Sequence, residues 1–94
     1  MFEEIRRTTV HTEYAGELGL TYYLFDTLVE MEGARIRRYG IRVETSRGEA
    51  AAVADISGNR GEVMALLDRL CTGTVTPVTL RDVVSDWLYE REMA

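Results

Sequence analysis

Residues 19–32, GLTYYLFDTLVEME, constrain this chain more than any other stretch. They are aromatic and β-branched, lack proline, and carry apolar side chains on both parities of an extended strand. Leu20, Tyr22, Leu24 and Leu28 fall on one parity, and Tyr23, Phe25, Val29 and Met31 on the other. Successive side chains of a strand point to opposite faces of its sheet, so this segment asks for cover on both. The fold must supply two covers for one strand.

The neighbouring segments indicate where the first cover comes from. RRTTVHTEY predicts a strand over 5–14, with Arg6, Thr8, Val10, Thr12 and Tyr14 on one parity. Gly33 offers a turn after the central strand, and RIRRYGIRVET predicts a third strand over 35–45. In it Ile36 lies on the even parity, whereas Tyr39, Ile41 and Val43 lie on the odd. A bulge near Arg37–Arg38, helped by Gly40, would return these to one face. SRGE turns the chain again, and AAAVADI predicts a fourth strand over 50–56, although its alanines also suit a helix.

The apolar period then changes from two to helical spacing. Val63, Leu66, Leu67, Leu70 and Cys71 share one face of a helix predicted over 59–72. Its start is open by two residues, with Ser57 a possible N-cap and Asn59 and Glu62 spaced as a capping box, and Gly73 is a stop. Leu80, Val83, Val84, Trp87 and Leu88 make a second stripe over 80–92. The single proline, Pro77, keeps the first helix from continuing into it. Thr79 is placed to cap this helix, with Val78 and Val83 as a hydrophobic staple. The whole reads as a single α+β domain over 1–94. It is an antiparallel meander of about four strands followed by two C-terminal amphipathic helices packed on one sheet face.

Two helices on one face leave the other parity of 19–32 uncovered. A chain of 94 residues has little else to supply, so a second copy becomes the expected cover: a homodimer through the open sheet face. Cover by the N-terminal segment is the alternative.

Chemistry is thinly marked. The one cysteine permits neither an internal disulfide nor a cysteine-based metal site, and no metal or cofactor is expected. His11, the only histidine, suits an edge strand, and Cys71 lies on a buried stripe, so a thiolate–imidazole pair is the weaker reading of both. Glu30 with Glu32, and Asp82 with Asp86, have the chemistry to hold a hard cation, but read more simply as solvated rims. GELG and SGNRG lack the lysine and context of a phosphate loop.

The one concentration of charge is RIRRYGIRVETSR. Arg35, Arg37, Arg38 and Arg42 around Tyr39 are the candidate binding residues for an anionic partner. Three readings stay open. Cross-strand pairing with Glu30, Glu32 and Glu44 comes first, an acidic protein or small anion second, and single-stranded nucleic acid last. The net charge of −5 argues against nucleic acid.

The succession LTYYLFDTLVEMEG, YGIRVE, ADIS, an amphipathic helix and VTPVTLRDVVSDWL resembles a small bacterial family of about this length, found in spore-forming Gram-positive anaerobes and known as a domain of unknown function. The Tyr39–Gly40 pair and the corner from Thr76 and Pro77 to Leu80 and Asp82 are its distinctive pieces. The resemblance implies the order of elements and a bacterial cytoplasm, but no activity, cofactor or catalytic residue. A cytoplasmic location also fits the absence of an apolar leader in MFEEIRRTTV and of any run long enough to span a membrane. The expected function is therefore a small non-catalytic regulatory or adaptor module acting through protein–protein interaction, with an unidentified protein partner. The alternative is a small-ligand or anion-binding domain, or a minor enzyme, with a pocket between sheet and helices near Tyr22, Tyr39 and His11.

Overall fold

The computed structural model describes residues 2–12 and 16–93. Four strands, β1 (Phe2–Thr12), β2 (Gly16–Met31), β3 (Ala34–Thr45) and β4 (Ala50–Ser57), form one antiparallel sheet in the order β1-β2-β3-β4. Two helices, α1 (Arg60–Thr72) and α2 (Pro77–Met93), follow. This is the expected α+β meander with C-terminal helices. Residues 13–14, predicted to end the first strand, lie outside the described residues. β1 also begins earlier than position 5, because Phe2 pairs with Phe25.

The even parity of β2 builds the core. Leu18, Leu20, Tyr22 and Leu24 are buried beside Ile41 and Val43 of β3. Onto them α1 lays Val63, Leu66, Leu67 and Leu70, and α2 lays Leu80 and Val84. Each such burial removes a large apolar side chain from water, about 1.5–3 kcal/mol apiece. The Tyr22 hydroxyl donates to the Val75 carbonyl at 2.8 Å, so the central strand also satisfies the connection between the helices. Burial pushes the Tyr22 phenol up to about 12, with a smaller contribution from Cys71.

Both helix ends differ from expectation in instructive ways. α1 is capped by Asn59, whose side chain accepts from the Glu62 backbone N–H at 3.1 Å. Glu62 does not complete the box. Ser57 accepts from the Asn59 N–H and donates to the Glu62 carboxylate, which also pairs with Arg91 of α2. The Arg91 hydrogen bond, seconded by Ser57, holds the Glu62 carboxyl below the usual carboxylate range. At the other end Gly73 has an ordinary φ of −84°, and Thr74 takes the left-handed conformation at φ 50°. Val75 N–H bonds to Leu70 O and Thr74 N–H to Cys71 O, so the helix closes in a Schellman motif with threonine where glycine is usual. The glycine stands one position early.

α2 starts at Pro77, so Thr79 is not its cap. Proline suits the first turn, where its missing N–H would have no helical partner and its fixed φ is already helical. The Thr79 hydroxyl instead donates to the Thr76 carbonyl at 3.4 Å. Val78 is 80% exposed, and the expected staple is not formed.

The predicted bulge at Arg37–Arg38 is also absent. The β2–β3 register runs unbroken from Leu20↔Thr45 to Met31↔Ala34. Ile36 therefore faces away from the helices while Tyr39, Ile41 and Val43 face them. The irregularity lies across the next interface, where Tyr39 pairs with Ser57 but Ile41 with Val53. The surplus residues of β4 arch there, with Asp55 at φ 56°. A Cβ on Gly40 would stand 2.5 Å from Val53 O and 2.6 Å from Phe25 Cζ. Gly40 is thus required by a bulge in its neighbour, not by one in its own strand.

Candidate functional site

The sheet has one covered face and one without a helix. β2 and β3 also run past their neighbours: β1 ends its pairing opposite Phe25, and β4 opposite Tyr39. Asp26–Met31 and Ala34–Arg38 consequently form a two-stranded arm, which contributes to a long dimension of 50 Å. The arm closes through Glu32 and Gly33 at φ 52° and 81°, the paired positive values of a type I′ hairpin turn.

On the open face, the odd parity of β2 lines up Tyr23, Phe25, Val29 and Met31, with Ile36 of β3 opposite Val29. β1 adds Phe2 through its own irregularity. Ile5 is an extra residue between Glu4↔Tyr23 and Arg6↔Tyr22, and this switches the parity so that Phe2 stays with the open face while Arg6, Thr8 and Val10 turn to the helices. The Phe2 ring lies 5.0 Å from Phe25 and 6.4 Å, edge-on, from Tyr23. Phe25 in turn covers Gly40. The Arg42 guanidinium stands 5.7 Å over the Phe2 ring and donates to Glu44 at 2.9 Å. Phe2 remains 55% exposed, Met31 50% and Ile36 38%. An aromatic and arginine centre therefore continues into an aliphatic stripe along the arm.

The candidate arginines are divided by the alternation of β3. Arg42 lies on the open face, whereas Arg38, of the same parity, pairs with Asp55 and lines a hollow with Ile56, Ser57, Leu88 and Arg91 at the end of β4. Arg35, Arg37 and Tyr39 lie on the opposite parity. Arg37 pairs with Asp26 across the arm, Arg35 is exposed in register with Glu30, and Tyr39 packs half-buried against the core. The geometry does not gather the five around one anion. Phe2 was invisible to periodicity because its place on the open face depends on the Ile5 irregularity; the apolar residue beside acids at Glu3 and Glu4 is the only signal it carries.

The other candidates are also separated. His11 pairs with Glu17 on the open parity, while Cys71 sits half-buried in the helix layer. Tyr22 is fully buried, and His11 and Tyr39 lie toward opposite ends of β2, so these three line no common pocket. A cleft of about 260 Å3 lies between α1 and α2, floored by Leu66, Leu70, Val75 and Val83 with Trp87, and rimmed by Arg69, Asp86 and Glu90. Arg91 stacks 4.6 Å over the Trp87 ring. Among the described residues no group of three or more His, Cys, Asp or Glu is placed to hold a metal ion. Within the same residues no helix is long and apolar enough to cross a membrane.

Residues 1–90 match the model of a family of unknown function, DUF6514, and the chain belongs to that family. A search of curated proteins finds no match, and a search of solved structures finds none.

Proposed function

We propose that this member of DUF6514 works by binding another protein through the open face of its sheet, as a small regulatory or adaptor module. The observation that carries the reading is the stripe from Tyr23, Phe2 and Phe25 to Val29, Ile36 and Met31, flanked by Arg42. It sits on a face that neither helix covers. Aromatic residues and arginine at the centre of a patch are the composition of interface hot spots. Arg42 is already stacked and paired, so its rotamer is ordered before a partner arrives, which lowers the cost of association. A second copy of the chain is one protein surface that would fit, giving the homodimer that the uncovered parity of β2 suggests.

The small-ligand or anion-binding alternative has less support. The cleft between the helices presents two carboxylates against one arginine, the wrong balance for an anion, and the cationic side chains of β3 are divided between two faces.

Site-specific photo-crosslinking in the cell of origin tests the proposal. A photoreactive residue at Thr21, on the open face beside Tyr23 and outside the arm, should give an adduct of discrete mass. The same residue at Tyr89, 64% exposed on α2, should not. Adducts from both positions alike, or from Tyr89 alone, would refute the assignment of the binding surface.

A further inference from the structure

We infer that two copies of this chain join arm to arm, by antiparallel pairing of the bare β2 edge from Thr27 to Met31 about a two-fold axis at Val29. The pairing uses the edge of the sheet and leaves its open face free, so it stands or falls separately from the face-binding reading.

The edge geometry comes from the turn. A type I′ hairpin makes Met31–Ala34 a hydrogen-bonded pair, and such pairs alternate along an antiparallel ladder. Met31, Val29 and Thr27 therefore turn their backbone groups toward β3, whereas Leu28 and Glu30 turn theirs outward, past the point where β1 stops. Pairing about Val29 sets Leu28 against Glu30 of the second copy in hydrogen-bonded pairs. Val29 meets Val29 in the close pair between them, and Thr27 meets Met31. Every paired residue keeps its own face, as strand alternation demands.

Geometry and charge both select a second copy as the occupant. Among the described residues the last β1–β2 pair toward the arm is Phe2 with Phe25, and Thr27–Met31 run on to its tip. A second arm centred on Val29 pairs along Thr27–Met31, with its closing turn directed toward Phe2. Met31 of the second copy then lies on the open face near the exposed Phe2 ring. The other arm edge is guarded. Its outward positions are Arg35 and Arg37, and self-pairing there about Ile36 would set arginine against arginine. Pairing β2 of one copy with β3 of the next would leave free edges at both ends and grow without limit, whereas the two-fold pairing closes. A two-stranded ribbon is marginal in water by itself, and Leu28 at 59% exposure is half of one. Joined, the arms make four strands, and the two open faces lie on the same side as one continuous surface.

Cysteine placed in a Cys71→Ala background reads the register directly. Close pairs across an antiparallel ladder stand at a Cα separation of about 4.5 Å, within disulfide range. Val29→Cys should convert to a disulfide-linked dimer under mild oxidation. Thr27→Cys should stay monomeric on a non-reducing gel, since its counterpart lies four residues along the ladder, roughly 13 Å away. Equal linkage at both positions, or none at Val29→Cys, overturns the proposal. Light scattering on the unmodified chain should give a dimer that Glu30→Pro, which removes an outward N–H, turns into a monomer with an unchanged circular dichroism spectrum. A monomer at every concentration, masses growing beyond a dimer, or a dimer that survives Glu30→Pro and dissociates on Tyr23→Arg also overturns it; the last result would place the second copy on the face.

Discussion

β2 and β3 pair in one continuous register, yet their two halves lead different lives. From Leu18 to Leu24 the ribbon is flanked by β1 and β4 and roofed by both helices, and Leu20 and Tyr22 are fully buried. From Thr27 to Arg37 the same two strands have no flanking strand and no roof among the described residues, and Leu28, Met31 and Ile36 meet water. The sequence type hardly changes between them: aromatic or aliphatic residues continue on both parities. What changes is how far the rest of the chain reaches. Apolar patterning announces the need for cover, and topology decides whether the chain meets that need itself.

Leu67→Ala, in the body, should destabilise by about 3 kcal/mol in chemical denaturation, because a buried leucine leaves a cavity. The matching change in the arm, Leu28→Ala, should cost under about 0.5 kcal/mol in the dilute chain, as exposed positions do. Similar losses at both would erase the distinction between the regions.

Gly40→Ala tests the junction. Its Cβ would press on Val53 O and on Phe25, so a loss of about 2 kcal/mol or more is expected, measured the same way. A neutral result would mean that the β4 arch yields easily.

Tyr22 sharpens the body side through pH. Its folded phenol is pushed up to about 12, above the ordinary value of 10, so the fold favours the protonated form. The stability this gives is fully present below pH about 10 and is lost as pH rises toward about 12. Tyr22→Phe should cost about 1 kcal/mol at neutral pH through the orphaned Val75 carbonyl, and should flatten that alkaline fall. An unchanged alkaline profile in the variant would assign the fall to other groups.

The smallest effects compare two strained turns. Thr74 and Glu32 both hold positive φ without being glycine. Thr74→Gly should raise global stability by about 1 kcal/mol. Glu32→Asn relieves comparable strain at the arm's tip, but should register less in global unfolding if the arm opens ahead of the body. Equal gains would show that the arm unfolds with the core.

Much of this was legible in the residues. The parities of β2 identified both the core face and the face left over, and the stripes of α1 and α2 identified their buried sides. The features not legible there are set by relations between strands. The phase change at Ile36 was visible, but its cause was not: the arm leaves the helix layer, so Ile36 need not share a face with Ile41. Gly40 pointed to an irregularity that belongs to β4, because a glycine reports crowding without naming the source. The arginines looked like one cluster along the chain, and strand alternation divided them between two faces. Pro77 opens the second helix, and the same residue type in the same place would equally halt the first.

The most direct measurement is hydrogen exchange resolved by residue, at a concentration that keeps the chain monomeric and at one a hundredfold higher. The account predicts that the Leu28 and Glu30 amides exchange freely in the dilute sample and become protected in the concentrated one, while those of the body do not change. Protection of Leu28 and Glu30 in both samples, or in neither, would contradict it.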